Sequence, residues 1–396
     1  MTAHPLPHPA QAPRRVLPVL VLAQLLGTSP WFAVNAVMPD LQAAFGWNAG
    51  AVGTLTAALQ GGFIAGTLVF ALLAVADRWP ARRVFLLCAL AAAVCTLAAM
   101  VSAAHFHALL GWRALTGFFL AGIYPVGMKL ASMWFPRGLG AALGWLVGAL
   151  VLGSASPHAL RALGAALPWQ SVFMGVAGAA ALAGLLVTLG VPQPTARATA
   201  AAQLRLSALA TLWHDSRLRA SALGYFGHMW ELYTLWVLVP LILATRLQGA
   251  ATVSGWAFAV LAVGAVGCVA GGLVARHHGS ANVALAQLAT SGLCCLAAPW
   301  MLSAPLSLFL AWLLLWGVTV VGDSPQFSAL TAANAPQGAV GSVLTLSNCI
   351  GFAISALSID VFVRLAQSVP LGSLLPWLAF GPLLGCWAMR PLLTRR

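Results

Sequence analysis

An acidic side chain inside a long apolar stretch is the first sign of chemistry in this sequence. Glu231 lies in the stretch 218–244, one helical turn after His228, so both side chains share a helix face. It follows Arg219 by 12 residues, which in a helix is about 18 Å and reaches the middle of a membrane. An ionisable group there costs several kcal/mol unless it is paired or hydrated. We interpret Glu231 as a proton-coupling or substrate-binding carboxylate that shares a proton with His228; a structural ion pair with Arg113 is the alternative.

A second acid occurs in the motif Gly322-Asp323-Ser324-Pro325-Gln326. Pro325 frees a backbone carbonyl, as happens in the broken helices of transport sites. We therefore expect Asp323 to take part in transport. Helix capping, or a salt bridge to Lys129, would be a purely structural role.

Two basic residues lie in the apolar stretch 107–133. Arg113 could grip an anionic substrate or hold Glu231, whereas Lys129 lies near the end of the stretch and could extend to the headgroups. Uncharged side chains predicted to line the same cavity, or else to form hydrogen bonds between helices, are Gln24, Asn35, Gln60, Tyr124, Gln326 and Asn348.

The elements that carry these residues are apolar throughout. Of the 396 residues, 61% are hydrophobic and only 6% are charged, whereas a soluble protein has roughly 25% charged residues. Stretches long enough to cross a ~30 Å hydrocarbon core recur along the chain. We predict an all-α integral membrane protein with twelve spans at 16–38, 51–75, 84–103, 107–133, 138–157, 169–191, 218–244, 251–275, 282–303, 306–329, 339–362 and 371–389.

Basic residues indicate the orientation. The net charge is +13, but it is spread over short loops, which argues against a nucleic-acid partner. Only Arg161, Arg246 and Arg364 flank the spans on the side opposite the N-terminus. The positive-inside rule then places the tails 1–15 and 390–396 in the cytoplasm. We expect a multi-pass protein of a bacterial inner membrane.

The chain divides into two similar halves. A Pro- and Arg-containing linker at 192–217, with a weakly amphipathic helix expected near 203–213, separates 16–191 from 218–389. Three positions of the fourth span recur in the tenth at an offset of about 200 residues: Gly117 and Gly317, Gly122 and Gly322, Pro125 and Pro325. Parallel six-span repeats with a substrate path between them are the architecture of a large class of transporters.

The turn after the second span carries a family resemblance. Asp77-Arg78-Trp79-Pro80-Ala81-Arg82-Arg83 resembles the major facilitator superfamily signature Gly-x-x-x-Asp-Arg-x-Gly-Arg-Arg. It departs by lacking the first glycine and by one inserted residue. Arg276 lies in a decayed second copy, and Arg113-x-x-x-Gly117 with Gly122 resembles the family's intramembrane motif. The resemblance implies twelve helices and a conformational latch of the outward-facing state at Asp77, Arg78, Arg82, Arg83 and Arg276. It also implies a proton-coupling role for Arg113. Plain anchoring is the alternative for the arginines of the turn.

Within the superfamily, the Gly-rich fifth and eleventh spans resemble those of nitrate/nitrite porters. Those porters bind their anion with arginines in the second and eighth spans. Here both spans lack a charge inside the membrane, so these roles are not carried over.

These observations predict a secondary transporter that moves a small solute by alternating access, with proton coupling through Glu231. Small-anion or metabolite symport is favoured, and drug or metabolite efflux by antiport is the alternative. A non-transporting membrane sensor or scaffold is the alternative from another class. We expect no enzyme activity, cofactor or metal, and a monomer whose partners are a small-molecule substrate, protons and lipid.

Overall fold

The computed structural model describes residues 13–135, 139–192, 204, 207–336 and 338–393. Within them every regular element is helical, and twelve segments are long and apolar enough to cross a membrane. We number them spans 1 to 12: Val16–Ala36, Ala51–Leu72, Ala81–Val101, Phe106–Trp134, Ala142–Leu163, Gln170–Gly190, Ser216–Ala244, Ala250–His278, Ser280–Met301, Leu306–Asn334, Val340–Leu365 and Leu371–Ala388. The predicted fold class and span count are confirmed. We call the side on which span 1 begins the inner side and the opposite side the outer side.

Several spans are broken, which the apolar pattern did not show. Span 1 runs as an α-helix only over Val16–Thr28 and continues as a 3-10 turn, Ser29–Phe32, with Pro30 near its start. Spans 4 and 10 are each divided into two helices. The second helix has a proline in its first turn in both cases, and these helices are Tyr124–Trp134 and Ser324–Asn334. Proline has no backbone N–H to continue a helix, and its fixed φ suits a helix start.

Span 8 is also interrupted, between Ala250–Ala262 and Gly264–His278. Span 12 joins Leu371–Leu374 and Phe380–Ala388 through a 3-10 turn, Leu375–Ala379. In the part of the predicted amphipathic segment that the structure describes, a short helix forms at Ala208–His214.

The same close helix packing occurs twice along the chain. Span 4 lies against span 2, and span 10 lies against span 8. At four glycines a Cβ would collide with a carbonyl oxygen of the neighbouring helix: Gly117 with Leu59, Gly66 with Phe118, Gly317 with Val260 and Gly267 with Val318. Only glycine permits backbones this close, because it has no Cβ.

The N-terminal six spans meet the C-terminal six most extensively through spans 2 and 11 and through spans 5 and 8, and ring contacts also join spans 1 and 7. Along spans 2 and 11 the contacts continue toward the outer side. The Phe63 and Phe352 rings lie 4.8 Å apart, and one turn further out Gln60 Nε2 donates to Ser355 Oγ at 3.1 Å. At the outer ends Gly53 packs on Val363. The outer ends of spans 2 and 11 are therefore in contact.

Candidate functional site

Glu231 lies inside the C-terminal six spans and not between the two sets of six. Its side chain is 1% exposed. Trp316 Nε1 donates to Oε1 at 2.6 Å, and Cys295 Sγ lies 3.2 Å from the same oxygen. Ser291 Oγ lies 2.9 Å from Oε2. These partners belong to spans 9 and 10, so span 7 presents its carboxylate to its own half.

The hydroxyl of Ser291 has two acceptors within reach. Besides Glu231 Oε2, it lies 3.1 Å from the carbonyl oxygen of Leu288. A hydroxyl has one hydrogen to donate but can also accept. It can donate to Glu231 when the carboxylate is charged. When Glu231 is protonated, it can donate to Leu288 and accept from the carboxyl. The site can therefore hydrogen-bond both protonation states.

His228 does not share Glu231's partners, although the two lie on one helix face. Its Nδ1 lies 2.8 Å from Asp323 Oδ1, with the two side chains 1% and 0% exposed. Within the described residues no aligned hydrogen bond reaches either imidazole nitrogen or either oxygen of Asp323. Buried polar groups of proteins are nearly always satisfied, so an under-satisfied buried pair marks a candidate functional site. The expected Glu231–His228 proton pair is thus replaced by a His228–Asp323 pair, and the alternative salt bridge of Asp323 to Lys129 is not formed.

Arg113 binds the break in span 1. Its Nη1 donates to the carbonyl oxygen of Pro30 at 2.9 Å, and its Nη2 donates to that of Trp31 at 2.6 Å. The side chain is 1% exposed. The planar guanidinium matches two adjacent acceptors, and the break frees carbonyls that need donors. The ion pair with Glu231 that was the alternative for Arg113 is not formed.

Lys129 lies apart from the predicted cavity and completes the charged turn instead. Its Nζ forms an ion pair with Asp77 and donates to the carbonyl oxygen of Ala76 at 2.6 Å. Arg82 Nη1 donates to the carbonyl oxygens of Thr188 and Val191, at 3.4 and 3.1 Å. In this conformation the turn therefore binds spans 4 and 6 of its own half. A latch formed by Asp77, Arg78, Arg82, Arg83 and Arg276 stays a prediction.

The uncharged candidates differ in whether they form an interhelical hydrogen bond, are buried, or are accessible. Gln60 bonds Ser355, and Asn35 Nδ2 donates to Thr56 Oγ1 at 2.9 Å, so both form interhelical hydrogen bonds. Gln24 is fully buried, and neither polar end has a partner among the described residues. Gln326 is also buried. Tyr124 and Asn348, half-buried, are the most accessible of the group.

An aromatic cluster between the halves was missed in the sequence. We define it as Trp31 and Phe63 from the N-terminal half with Tyr233 and Phe352 from the C-terminal half. Trp31 stacks on Tyr233 with 5.7 Å between ring centroids, and it lies 5.1 Å from Phe63 and 5.7 Å from Phe352. Aromatic residues are scattered through many apolar stretches, so composition alone did not single these out. The Pro30-Trp31 pair inside span 1 was the available signal.

The surface also has an apolar groove of about 320 Å³ beside spans 7, 11 and 12. It is lined by Phe226, Trp230, Ile354, Phe380 and Leu384, among others. Phe380 and Leu384 are exposed on the lateral face of the helix bundle, which lipid would contact. The groove is separate from the charged pairs described above.

Twelve apolar spans, buried acids and paired close helix packing define a polytopic membrane protein of transporter type. The family model described as "Major Facilitator Superfamily" matches residues 20–359. The chain belongs to this superfamily, whose members are transporters and not enzymes. The resemblance seen in the charged turn is confirmed at this level, and the likeness to nitrate/nitrite porters stays a prediction.

Solved structures with the same fold include three transporters of this superfamily. The human organic anion transporter MFSD10 (TETRAN) aligns with a TM-score of 0.73 at 18% identity, over 95% of this chain and 99% of that one. The proton:xylose symporter XylE aligns with a TM-score of 0.76 at 12% identity, over 96% and 95%. The nucleoside transporter NupG, as a D323A mutant, aligns with a TM-score of 0.72 at 13% identity, over 96% and 100%. Identities this low establish the fold alone. Among curated protein sequences there is no match.

Proposed function

We propose that this protein is a proton-coupled secondary transporter that carries a small organic solute by alternating access. Protons bind in the C-terminal half, at Glu231 and at the His228–Asp323 pair. The solute binds between the halves, next to the aromatic cluster. The observation that carries the proposal is the pair of acceptors around Ser291 Oγ, which lets the same enclosure hold Glu231 charged or neutral.

A proton site must be stable in both of its states, because each occurs once in a transport cycle. A buried carboxylate without donors would stay protonated, and a buried carboxyl without an acceptor would lose a hydrogen bond. Trp316 and Cys295 supply donors for the charged state, and Ser291 can change direction for the neutral state. His228 of span 7 and Asp323 of span 10 provide a second titratable pair.

Symport of a small metabolite with protons is the mode of transport that we favour. Both basic side chains of span 4 already have partners, since Arg113 binds carbonyls and Lys129 binds Asp77. The partners of Arg113 are neutral carbonyls, and its Nε has no hydrogen-bond partner among the described residues. Its buried charge therefore stays compatible with the small anion or metabolite that the sequence favoured. The basic loops support cytoplasmic termini, and a bacterial inner membrane stays a prediction.

The test uses proteoliposomes that contain a pH-sensitive dye. A panel of anions, sugars, aromatic amides and cationic drugs is added outside, and the internal pH is followed. We expect at least one solute to drive proton movement in the wild type and not in Glu231→Gln. Asp360→Asn is the matched control, because its carboxylate is partly exposed and pairs with Arg364, one helical turn later on the same span.

Equal proton flux in wild type and Glu231→Gln would contradict the coupling assignment. Solute uptake without proton movement in the wild type would show transport of another kind. If no solute of the panel moves, the non-transporting sensor becomes the better explanation.

A further inference from the structure

The apolar groove beside spans 7, 11 and 12 extends from near the inner side to the middle of the bundle. On span 7 it is lined by Leu223, Phe226, Gly227 and Trp230, which share one helix face because the last three follow Leu223 by three, four and seven residues. From Leu223 to Trp230 the helix rises about 10 Å. One leaflet is ~15 Å thick, half of a ~30 Å hydrocarbon core. The groove therefore has the direction and the depth of an acyl chain of the inner leaflet.

The groove is open to the lateral face of the bundle. Phe380 and Leu384 of span 12 line it and are exposed. Two glycines form its floor, where a Cβ on Gly227 would collide with the carbonyl oxygen of Gly381. Because neither glycine has a side chain, a depression remains beside the larger rings of the walls, such as Trp230 and Phe380, whose centroids lie 6.2 Å apart. An apolar chain can enter this depression from the membrane without any movement of the two halves.

Arginines surround the inner end of the groove. Arg217 Nη1 donates to the carbonyl oxygen of Pro391 at 3.2 Å, so the inner ends of spans 7 and 12 lie side by side. Arg219 precedes Leu223 by four residues and lies on the same helix face. Arg390 begins the short helix that follows span 12. Arg219 and Arg390 are both exposed, and neither forms an ion pair with a residue that the structure describes.

The charge at this end is positive. Asp215 is the only acid that the structure describes at the inner ends of spans 7, 11 and 12. Its carboxylate accepts from the backbone N–H of Leu218 at 2.7 Å and caps span 7. Arg219 Nη1 donates to the carbonyl oxygen of Trp213 at 2.7 Å, which is a neutral acceptor. One carboxylate beside three arginines leaves a net positive charge next to the groove.

Two exposed tryptophans indicate the level of the lipid headgroups. Trp213 lies in the short helix Ala208–His214, which contacts spans 7 and 11. Trp387 lies in the last turn of span 12 and also lines the groove. Tryptophan concentrates at the boundary between headgroups and acyl chains. The arginines are therefore at headgroup level, and the groove lies among the acyl chains.

From these observations we propose that the groove binds one anionic phospholipid of the inner leaflet. One acyl chain lies along span 7 from Leu223 to Trp230, against Phe380 of span 12, and the phosphate is bound by Arg219 and Arg390. Guanidinium groups match pairs of phosphate oxygens, and basic residues at a membrane surface attract anionic lipids. This site lies outside the path between the two halves, so it depends neither on the transported solute nor on proton coupling.

The test is native mass spectrometry of the delipidated protein in detergent, which counts bound lipids and gives their affinities. The probes are dioleoylphosphatidylglycerol, which is anionic, and dioleoylphosphatidylcholine, which has the same chains and no net charge. We expect one phosphatidylglycerol to bind about tenfold more tightly than phosphatidylcholine and than a second phosphatidylglycerol, because two arginines attract its headgroup. Excess inorganic phosphate should not displace it, because the chain is also bound.

Equal affinities of the two lipids, or displacement of phosphatidylglycerol by phosphate, would overturn the proposal. Both results are read on the wild type, so they do not depend on how any variant folds.

A double variant tests the headgroup contacts. Arg219→Gln with Arg390→Gln should lower the affinity for phosphatidylglycerol to that for phosphatidylcholine. Arg78→Gln with Arg83→Gln is the matched control, because it removes two exposed inner-side charges at the turn between spans 2 and 3. The control should keep the selectivity. Unchanged selectivity in the first double variant would refute the role of these arginines and overturn the site.

A bulky substitution tests the position of the chain. Ile354→Trp enlarges a side chain that lines the groove, so it should weaken the binding of both lipids. Leu185→Trp is the matched control, because Leu185 is exposed on span 6, in the other half of the chain. It should leave both affinities unchanged. Wild-type affinities in Ile354→Trp would show that the lipid binds elsewhere.

Discussion

Nδ1 of His228 and Oδ1 of Asp323 lie 2.8 Å apart, and this contact ties the middle of span 7 to the break in span 10. Asp323 is the residue between the two helices of span 10, which end and begin at Gly322 and Ser324. A change of proton occupancy at the pair therefore acts on a point where the helix is already interrupted. Such a point can change its backbone angles without breaking a continuous helix.

We predict that His228 and Asp323 are energetically coupled. His228→Ala leaves a buried carboxyl without its partner, so it should lower stability more than expected from the lost contacts alone. The double variant with Asp323→Ala should be more stable than the sum of the two single effects, with a coupling of about 0.5–3 kcal/mol. The measurement is a double-mutant cycle of unfolding in detergent.

The exposed pair Asp360 and Arg364 serves as its control, since an i,i+4 surface pair contributes only about 0.3–0.5 kcal/mol. Additive effects at His228 and Asp323 would show that the two do not interact.

Arg113 should act through the shape of span 1. Arg113→Lys keeps the charge but cannot bind both carbonyls with a planar fork. Hydrogen bonds to a charged group contribute about 1.5–3 kcal/mol, so we expect a clear fall in melting temperature and a loss of transport. Arg364→Lys, at an exposed position, is expected to change neither. Full activity of Arg113→Lys would refute the positioning role.

Ala74 is the only described non-glycine residue with a positive φ, at 48°. It immediately precedes the short helix Val75–Arg78 that carries Asp77. The left-handed conformation costs roughly 1–2 kcal/mol for an L-residue with a side chain and little for glycine. Ala74→Gly should therefore raise the melting temperature.

Ala65→Gly is the comparison for Ala74→Gly, because Ala65 lies exposed inside span 2. There glycine should cost about 0.5–1 kcal/mol. A fall in melting temperature for both variants would show that the turn is not strained.

Because of close helix packing, substitution by alanine should be equally destabilising at Gly117 and at Gly317. Gly117→Ala and Gly317→Ala each push a Cβ into a carbonyl oxygen of a neighbouring span, and overpacking costs about 1–3 kcal/mol. Gly111→Ala, in the same span as Gly117, meets open space, and it should be neutral or stabilise by up to about 0.5–1 kcal/mol because glycine is disfavoured inside a helix. Thermal stability in detergent distinguishes them. Equal stability of Gly111→Ala and Gly117→Ala would contradict the packing.

The spans were predictable because a membrane imposes a length and an apolar composition on each helix. The side-chain partners were not. His228 and Glu231 share a helix face by their spacing, but they have different partners. His228 meets Asp323 of span 10, whereas Glu231 is bound by side chains of spans 9 and 10. Lys129 has an apolar neighbourhood in sequence, and its partner Asp77 lies 52 residues away. Only the three-dimensional packing of the helices shows which charge meets which.

The repeated glycine contacts show which positions the two halves of the chain have in common. Both halves have glycine at positions where two backbones touch, because a side chain there would push the helices apart. The acids at 231 and 323 are not repeated: the N-terminal half has Trp31 and Ile123 at the corresponding places. The two halves thus share one packing scaffold and both supply rings to their interface, whereas the buried acids of the described chain, Glu231 and Asp323, lie in the C-terminal half alone.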